Sequence, residues 1–177
     1  MKKNSGLIIR VFVAVLSACV LAGCGGKGPQ IPSQRKGQAP KEDSTALAMM
    51  EMTMRMAEAA DAELTRIASS QEDPYALYEA NVWLYIQDRG DEELPSPEQS
   101  CKLRMRTYSL DGQLLIDEEG TYHLHKNELP YGVESNIDEL HPGGKARMYV
   151  PWYTAYGQQG TQHVPPYENV IIEIEVQ

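Results

Sequence analysis

Imidazole and thiol groups are scarce in this chain, with four histidines and three cysteines among 177 residues. His123 and His125 stand two apart. In a strand both would face one side, a spacing able to hold a metal with His141 or His163 nearby. No cysteine or clustered carboxylate accompanies them, so solvated surface histidines are the better reading and no metal is expected. Cys101 falls on the inward side of an alternating segment and reads as a buried hydrophobe rather than a reactive thiol. The densest signal lies in the last thirty-five residues, which hold Gly143-Gly144-Lys145, then Ala155-Tyr156-Gly157, then Val164-Pro165-Pro166, then Val170 to Val176.

The elements that would position these residues are mostly strands. From Cys101 to Tyr108 the side chains alternate, with Cys101, Leu103, Met105 and Thr107 on one face and Lys102, Arg104, Arg106 and Tyr108 on the other, the period of a half-buried antiparallel strand. Lys145 to Val150 and Val170 to Val176 alternate likewise. Their inward sets are Ala146, Met148, Val150 and Val170, Ile172, Ile174, Val176. Their outward sets are Lys145, Arg147, Tyr149 and Ile171, Glu173, Glu175. The outward charges are complementary, so neighbouring strands can pair basic with acidic rungs, each worth at most about 1 kcal/mol. Between the strands only Gly132 to Leu140 reads as helix, with Val133, Ile137 and Leu140 on a common side and Pro142 stopping it. A curved antiparallel sheet packed on one short helix is an α+β architecture.

Upstream, Ser44 to Ser70 is the strongest helix, opening on a Ser44 or Thr45 cap, rich in Ala, Met, Glu and Leu and free of Gly and Pro. Leu47, Met50, Met54, Ala57, Leu64 and Ile67 fall near one stripe. That stripe either packs on the following domain or, with five methionines between Met49 and Met56, offers an adaptable surface for unfolded clients or a second copy.

The N-terminus bears on location. Lys2, Lys3 and Arg10 precede an apolar run of eleven residues, Val11 to Leu21, the layout of an export signal and too short to span a bilayer. Leu21-Ala22-Gly23-Cys24 looks like a bacterial lipobox, in which cleavage precedes Cys24 and its thiol is acylated. More than one lipid chain on Cys24 gives stable anchoring, and Gly25 in place of an aspartate favours the outer over the inner membrane. With Cys19 cleaved away and Cys24 lipidated, Cys101 has no partner for an intrachain disulfide. The signal holds three of sixteen basic residues and none of the twenty-five acidic ones, leaving thirteen against twenty-five, a net charge of −12. Nucleic acid is excluded as a partner on that balance. Residues 25–43 are rich in Gly, Pro, Gln and Lys and read as a tether of about 25 Å typical span, whose Lys27, Arg35, Lys36 and Lys41 can rest on anionic headgroups. The expected organisation is a signal over 1–23, a lipid-anchored linker over 24–43, a helical arm over 44–72 and a domain over 73–177.

The ordered C-terminal pieces, a Gly-Gly-Lys turn, an apolar strand, Ala-Tyr-Gly, hydrophobic-Pro-Pro and a last strand with alternating acids, closely resemble the C-terminal half of FKBP-type peptidyl-prolyl isomerases. Gln99 to Met105 followed by Asp111-Gly112 is similar to the family's second strand and turn, and Val82 to Gln87 followed by Gly90-Asp91 to its first. The resemblance runs from Val82 to Gln177, with short gaps near Ile116 to Asn127 and Thr161 to His163. It implies an FKBP-like sheet and helix, no cofactor, and proline-containing unfolded or exported polypeptides as substrates. Some surface-anchored members have an N-terminal helical arm that dimerises, which makes a homodimer through 44–70 an expectation here.

The implied chemistry is rotation about X-Pro bonds. Amide resonance opposes it with a barrier of about 18–20 kcal/mol, and unaided it takes tens to hundreds of seconds. The twisted amide has lost that resonance and is less polar than the planar one. A dry, aromatic-walled pocket therefore favours it, each ~1.36 kcal/mol being about tenfold in rate. By resemblance, Tyr156 is the tyrosine whose hydroxyl bonds a substrate carbonyl, Tyr122 the strand aromatic, Leu129 the pocket valine, Val164 the isoleucine ahead of Pro-Pro, and Ile172 the phenylalanine of the last strand. Other positions depart from the pattern. Met105 replaces a strand tyrosine, Leu115-Ile116 replaces Phe-Asp, and Val133 replaces the tryptophan floor. Asp117 supplies the missing aspartate if one residue is inserted before it. Pro130 stands where a backbone N–H donates to substrate, and proline has none. Reduced turnover, or a non-catalytic chaperone or interaction module of an envelope assembly, is the alternative these departures raise.

Overall fold

The structure is a computed structural model, described here for residues 44–90 and 100–177. The signal, Cys24 and the linker lie outside the described residues. Helix α1 (Ser44–Ser69) is followed by β1 (Ala76–Leu77), a 3-10 turn (Glu79–Asn81), β2 (Trp83–Asp88), β3 (Ser100–Ser109), β4 (Leu114–His123), the short helix α2 (Tyr131–Glu134), a second 3-10 turn (Ile137–Glu139), β5 (Lys145–Val150) and β6 (Val170–Val176). The strands form one sheet in the order β1-β2-β5-β6-β3-β4. Every neighbouring pair is antiparallel. Among the described residues no helix is long and apolar enough to cross a membrane.

The three alternating segments are β3, β5 and β6, each paired on both sides. Cys101, Leu103, Met105 and Thr107 are all buried on β3, as are Ala146, Met148 and Val150 on β5 and the even-numbered residues of β6. Val133, Ile137 and Leu140 close that face from α2 and the turn after it, each fully buried. On the opposite face the expected charge rungs form between neighbouring strands. Lys145 meets Glu175 at 2.9 Å, Glu173 lies between Arg106 at 3.4 Å and Arg147 at 3.7 Å, and Arg104 meets Asp117 at 3.0 Å.

Two outward positions behave differently from the alternation. Tyr149 and Ile171 pair across β5 and β6, yet both are buried, because Leu64 and Ala68 of α1 lie on them. The docked face of α1 is Ala60, Leu64 and Ala68, a spacing of four that keeps side chains on one side. The apolar stripe read from the sequence is thus half corrected. Leu64 and Ile67 do pack on the sheet, whereas Leu47, Met50 and Met54 are exposed on the helix's first half. Small alanines, not methionines, let the helix approach. A polar clasp completes the contact. Tyr153 Oη donates to Asp61 at 2.5 Å, Asn81 Nδ2 donates to Tyr153 Oη at 2.9 Å, and Asn169 Nδ2 donates to Glu63 at 3.0 Å.

Candidate active site

Three segments meet on the core side of the sheet: the middle of β3, the facing part of β4, and the loop between β5 and β6. Sheet register decides which β4 side chains take part, since directly paired residues share a face. Thr107 pairs with Ile116, Met105 with Glu118, Leu103 with Gly120 and Cys101 with Tyr122, while Arg106 pairs with Asp117. Ile116, Glu118, Gly120 and Tyr122 therefore face the core side. Asp117 faces away, held by Arg104 Nε and Nη2 at 3.2 and 3.0 Å. That hydrogen-bonded guanidinium keeps its carboxyl below the usual carboxylate range. The placement expected for Asp117 is thus corrected: the carboxylate on the site's side is Glu118, one residue later. A register shift after Thr107, pairing Tyr108 with Leu114, leaves Leu115 as the extra residue of a bulge. Leu115 and Ile116 then both pack on the core.

Tyr156 sits in a tight turn after β5. Ala155 N–H donates to Pro151 O at 3.0 Å and Gly157 N–H to Trp152 O at 2.7 Å. Gly157 adopts φ +73°, a conformation that glycine alone adopts freely. The Tyr156 hydroxyl lies 2.9 Å from Thr107 Oγ1. Burial pushes the phenol's pKa up, with Thr107 acting the other way and the Glu118 charge adding a smaller rise. Tyr122 is raised for the same first reason, then by Glu118 and Glu128. Its ring lies back over Gly120, close enough that a Cβ there would stand 3.0 Å from the ring.

The core against which these aromatics pack is apolar and closed to solvent. Met105 is 2 % exposed, Val164 1 %, and Val133 and Ile172 are fully buried. These four and Leu129 belong to one core cluster, against which the partly exposed Leu115, Ile116, Tyr122, Ala155 and Tyr156 pack. Eight of the ten positions expected at the site, Tyr156, Tyr122, Met105, Leu115, Leu129, Val133, Val164 and Ile172, thus belong to this cluster or pack against it. Pro130 is beside them as the residue before α2, with φ −53° and ψ 137°, and Asp117 is apart.

The loop into α2 is held by groups that sequence reasoning passed over. Glu134 is buried and its carboxylate accepts from the N–H groups of Asn127 at 3.0 Å and Leu129 at 3.1 Å. Asn136 Nδ2 donates to Gly132 O at 2.8 Å and to Glu79 O at 3.1 Å. Gly132 N–H donates to Thr154 O at 2.8 Å. A Cβ on Gly132 would come within 2.7 Å of Val150 Cγ1, so α2 lies as close to β5 as glycine allows. The available signal was Glu134 and Asn136 set between the apolar Val133 and Ile137, because polar groups carried inward must find partners.

The two histidines do not share a strand face. His123 ends β4 and bonds Glu128 through Nδ1 at 3.0 Å, whereas His125 has φ 59° in the turn beyond and meets Asp138 at 3.0 Å. Cys101 is buried, and burial raises its thiol pKa.

A six-stranded antiparallel sheet closed by one short helix, with a tyrosine loop ahead of the last strand, is the FKBP-like fold. Residues 92–177 match the family model for FKBP-type peptidyl-prolyl cis-trans isomerase. Among solved structures, FkpA from Escherichia coli is similar at 17% identity and a TM-score of 0.59, over 99% of this chain and 72% of that one. A peptidyl-prolyl cis-trans isomerase from Pseudomonas syringae pv. tomato is similar at 22% identity and a TM-score of 0.56, over 67% of this chain and 92% of that one. The N-terminal domain of FKBP42 from Arabidopsis thaliana is similar at 24% identity and a TM-score of 0.52, over 60% of this chain and 92% of that one. The likeness to these structures is one of fold. A search of curated proteins finds no match.

Proposed function

We propose that this protein is a peptidyl-prolyl cis-trans isomerase acting on X-Pro bonds of exported or envelope proteins. The observation that carries the reading is that Tyr156 and Tyr122, both partly exposed, pack on the core that contains the buried Met105, Val133 and Ile172. A prolyl ring seated there meets no water from below, and the Tyr156 hydroxyl stands beside it as a donor to a substrate carbonyl. The planar amide loses hydration on entry and the twisted amide loses less, so the barrier falls.

The same reading places the chain on a membrane through lipid on Cys24, at the outer rather than the inner membrane, facing the periplasm or cell surface. The exposed methionines of α1 suit contact with unfolded clients or a second copy in a homodimer. A non-catalytic binding module is the rival. It is favoured by Pro130, which has no N–H to offer, and by Val133, which gives the floor an isopropyl group instead of an indole.

Exchange NMR on an Ala-Leu-Pro-Phe peptide separates the two. The isomerase reading expects accelerated cis/trans exchange that falls at least tenfold in Tyr156→Phe/Tyr122→Ala, a loss of about 1.4 kcal/mol of transition-state stabilisation. No acceleration at high protein concentration would leave the module.

A further inference from the structure

Thr107 is the one fully buried polar side chain on the inward face of β3, opposite Ile116 on β4 and Ile172 on β6. Among the described residues its hydroxyl has a single hydrogen-bond partner, the Tyr156 hydroxyl at 2.9 Å. Two hydroxyls at that distance share one proton between them, and either could give it. Their surroundings break the tie. A buried hydroxyl that leaves its proton unused forfeits the full cost of desolvating it. The Tyr156 phenol is partly exposed, so its proton has water or a bound carbonyl to go to.

We propose that Thr107 is a positioning residue for isomerisation: it donates its hydroxyl proton to the Tyr156 oxygen and so turns the phenol's own proton outward to the substrate carbonyl. This rests on the isomerase reading above. A phenolic hydrogen stays near the ring plane and has two places there. The hydrogen bond from Thr107 occupies the side toward the sheet and leaves the other for the outward proton. Accepting one hydrogen bond also polarises the phenol and strengthens the one it gives. The donor is therefore aimed before substrate arrives, by a side chain on a strand paired on both sides. The lowering that Thr107 exerts on the Tyr156 pKa agrees with a bond donated to the phenol oxygen.

Thr107→Val keeps the shape and removes the hydroxyl, and Thr107→Ser keeps the hydroxyl. In the peptide exchange assay on the full chain, the valine variant should lose about three- to tenfold in kcat/KM, the size of one hydrogen bond, and the serine variant should recover most of it. In a Tyr156→Phe background, Thr107→Val should cost nothing further, because its effect passes through the phenol. A second readout needs no turnover. The Tyr156 ring-carbon shift, followed against pH, should titrate higher in Thr107→Val than in wild type and return in Thr107→Ser. If Thr107→Val does not fold, Thr107→Ala takes its place. An unchanged titration, or an equal loss with and without the Tyr156 hydroxyl, overturns the proposal. If wild type accelerates no exchange, the isomerase reading falls, and an unmoved titration would separately refute the hydrogen-bond assignment.

Discussion

At the scale of single residues, the candidate site departs from the FKBP pattern it resembles in the groups it offers as donors. Pro130 leads into α2 with its carbonyl occupied by the Val133 and Glu134 N–H groups at 2.8 and 2.9 Å, and its ring nitrogen gives nothing. Its backbone angles, φ −53° and ψ 137°, suit an ordinary residue equally well. Pro130→Ile should therefore fold normally and add a donor, tightening a proline-containing ligand about fivefold, the size of one net hydrogen bond. Titration calorimetry with the same peptide measures it, and unchanged or weaker binding would show that the backbone at 130 does not face the ligand. Thr107 shows the limit of reading residues from sequence. Alternation placed it inward, but only the folded chain brings Tyr156, forty-nine positions away, to its hydroxyl. Asp117 shows another. A one-residue bulge decides which of three consecutive acids faces the site, and nothing in Asp117-Glu118-Glu119 announces it.

At the scale of elements, legibility followed neighbours. Strands β3, β5 and β6 have a partner on each side and one buried face, so their sequences alternate cleanly. Strands β1 and β4 are edges. The first has two residues, and the second runs Leu114-Leu115-Ile116 into three acids, a charged edge that discourages further pairing and hides the period. Helix α1 was legible as a helix but not in the face it docks, because alanines at 60 and 68 do the approaching. Leu64 is the large side chain in that contact, fully buried. Leu64→Ala should cost about 2–5 kcal/mol, seen as an earlier midpoint in urea denaturation followed by circular dichroism. The clasp adds a pH response. Burial first, and then the bond to Asp61, push the Tyr153 phenol up from 10.0 to about 12. A raised value means that its contribution is whole below pH 10 and is lost as pH passes through about 12. Tryptophan fluorescence should report loosening of α1 over that range, and Tyr153→Phe should remove this component of the alkaline transition. An identical profile in the two proteins would mean that the clasp does not titrate.

At the scale of the whole molecule, the sequence gives two faces of the sheet different tasks. The inner face makes the core and the candidate site. The outer face carries charge rungs on one part and receives α1 on another, over Tyr149 and Ile171. With twenty-five acidic against sixteen basic residues, the chain carries a net negative charge that gives little attraction to anionic lipid. Attachment to a membrane then depends on the lipid proposed at Cys24. Cys24→Ser should move the protein from the membrane pellet to the soluble fraction on cell fractionation, and retention in the pellet would count against that anchor.

The clasp grips the β5–β6 loop at two places, Tyr153 and Asn169, which bracket Tyr156 in the chain. Force applied along α1 is therefore delivered to the same loop that carries the phenol. Part of any load on the arm would reach the loop that carries Tyr156, alongside the part that passes along the chain into β1. Pulling on the two ends of the chain in an optical trap should yield the α1 contact before the sheet.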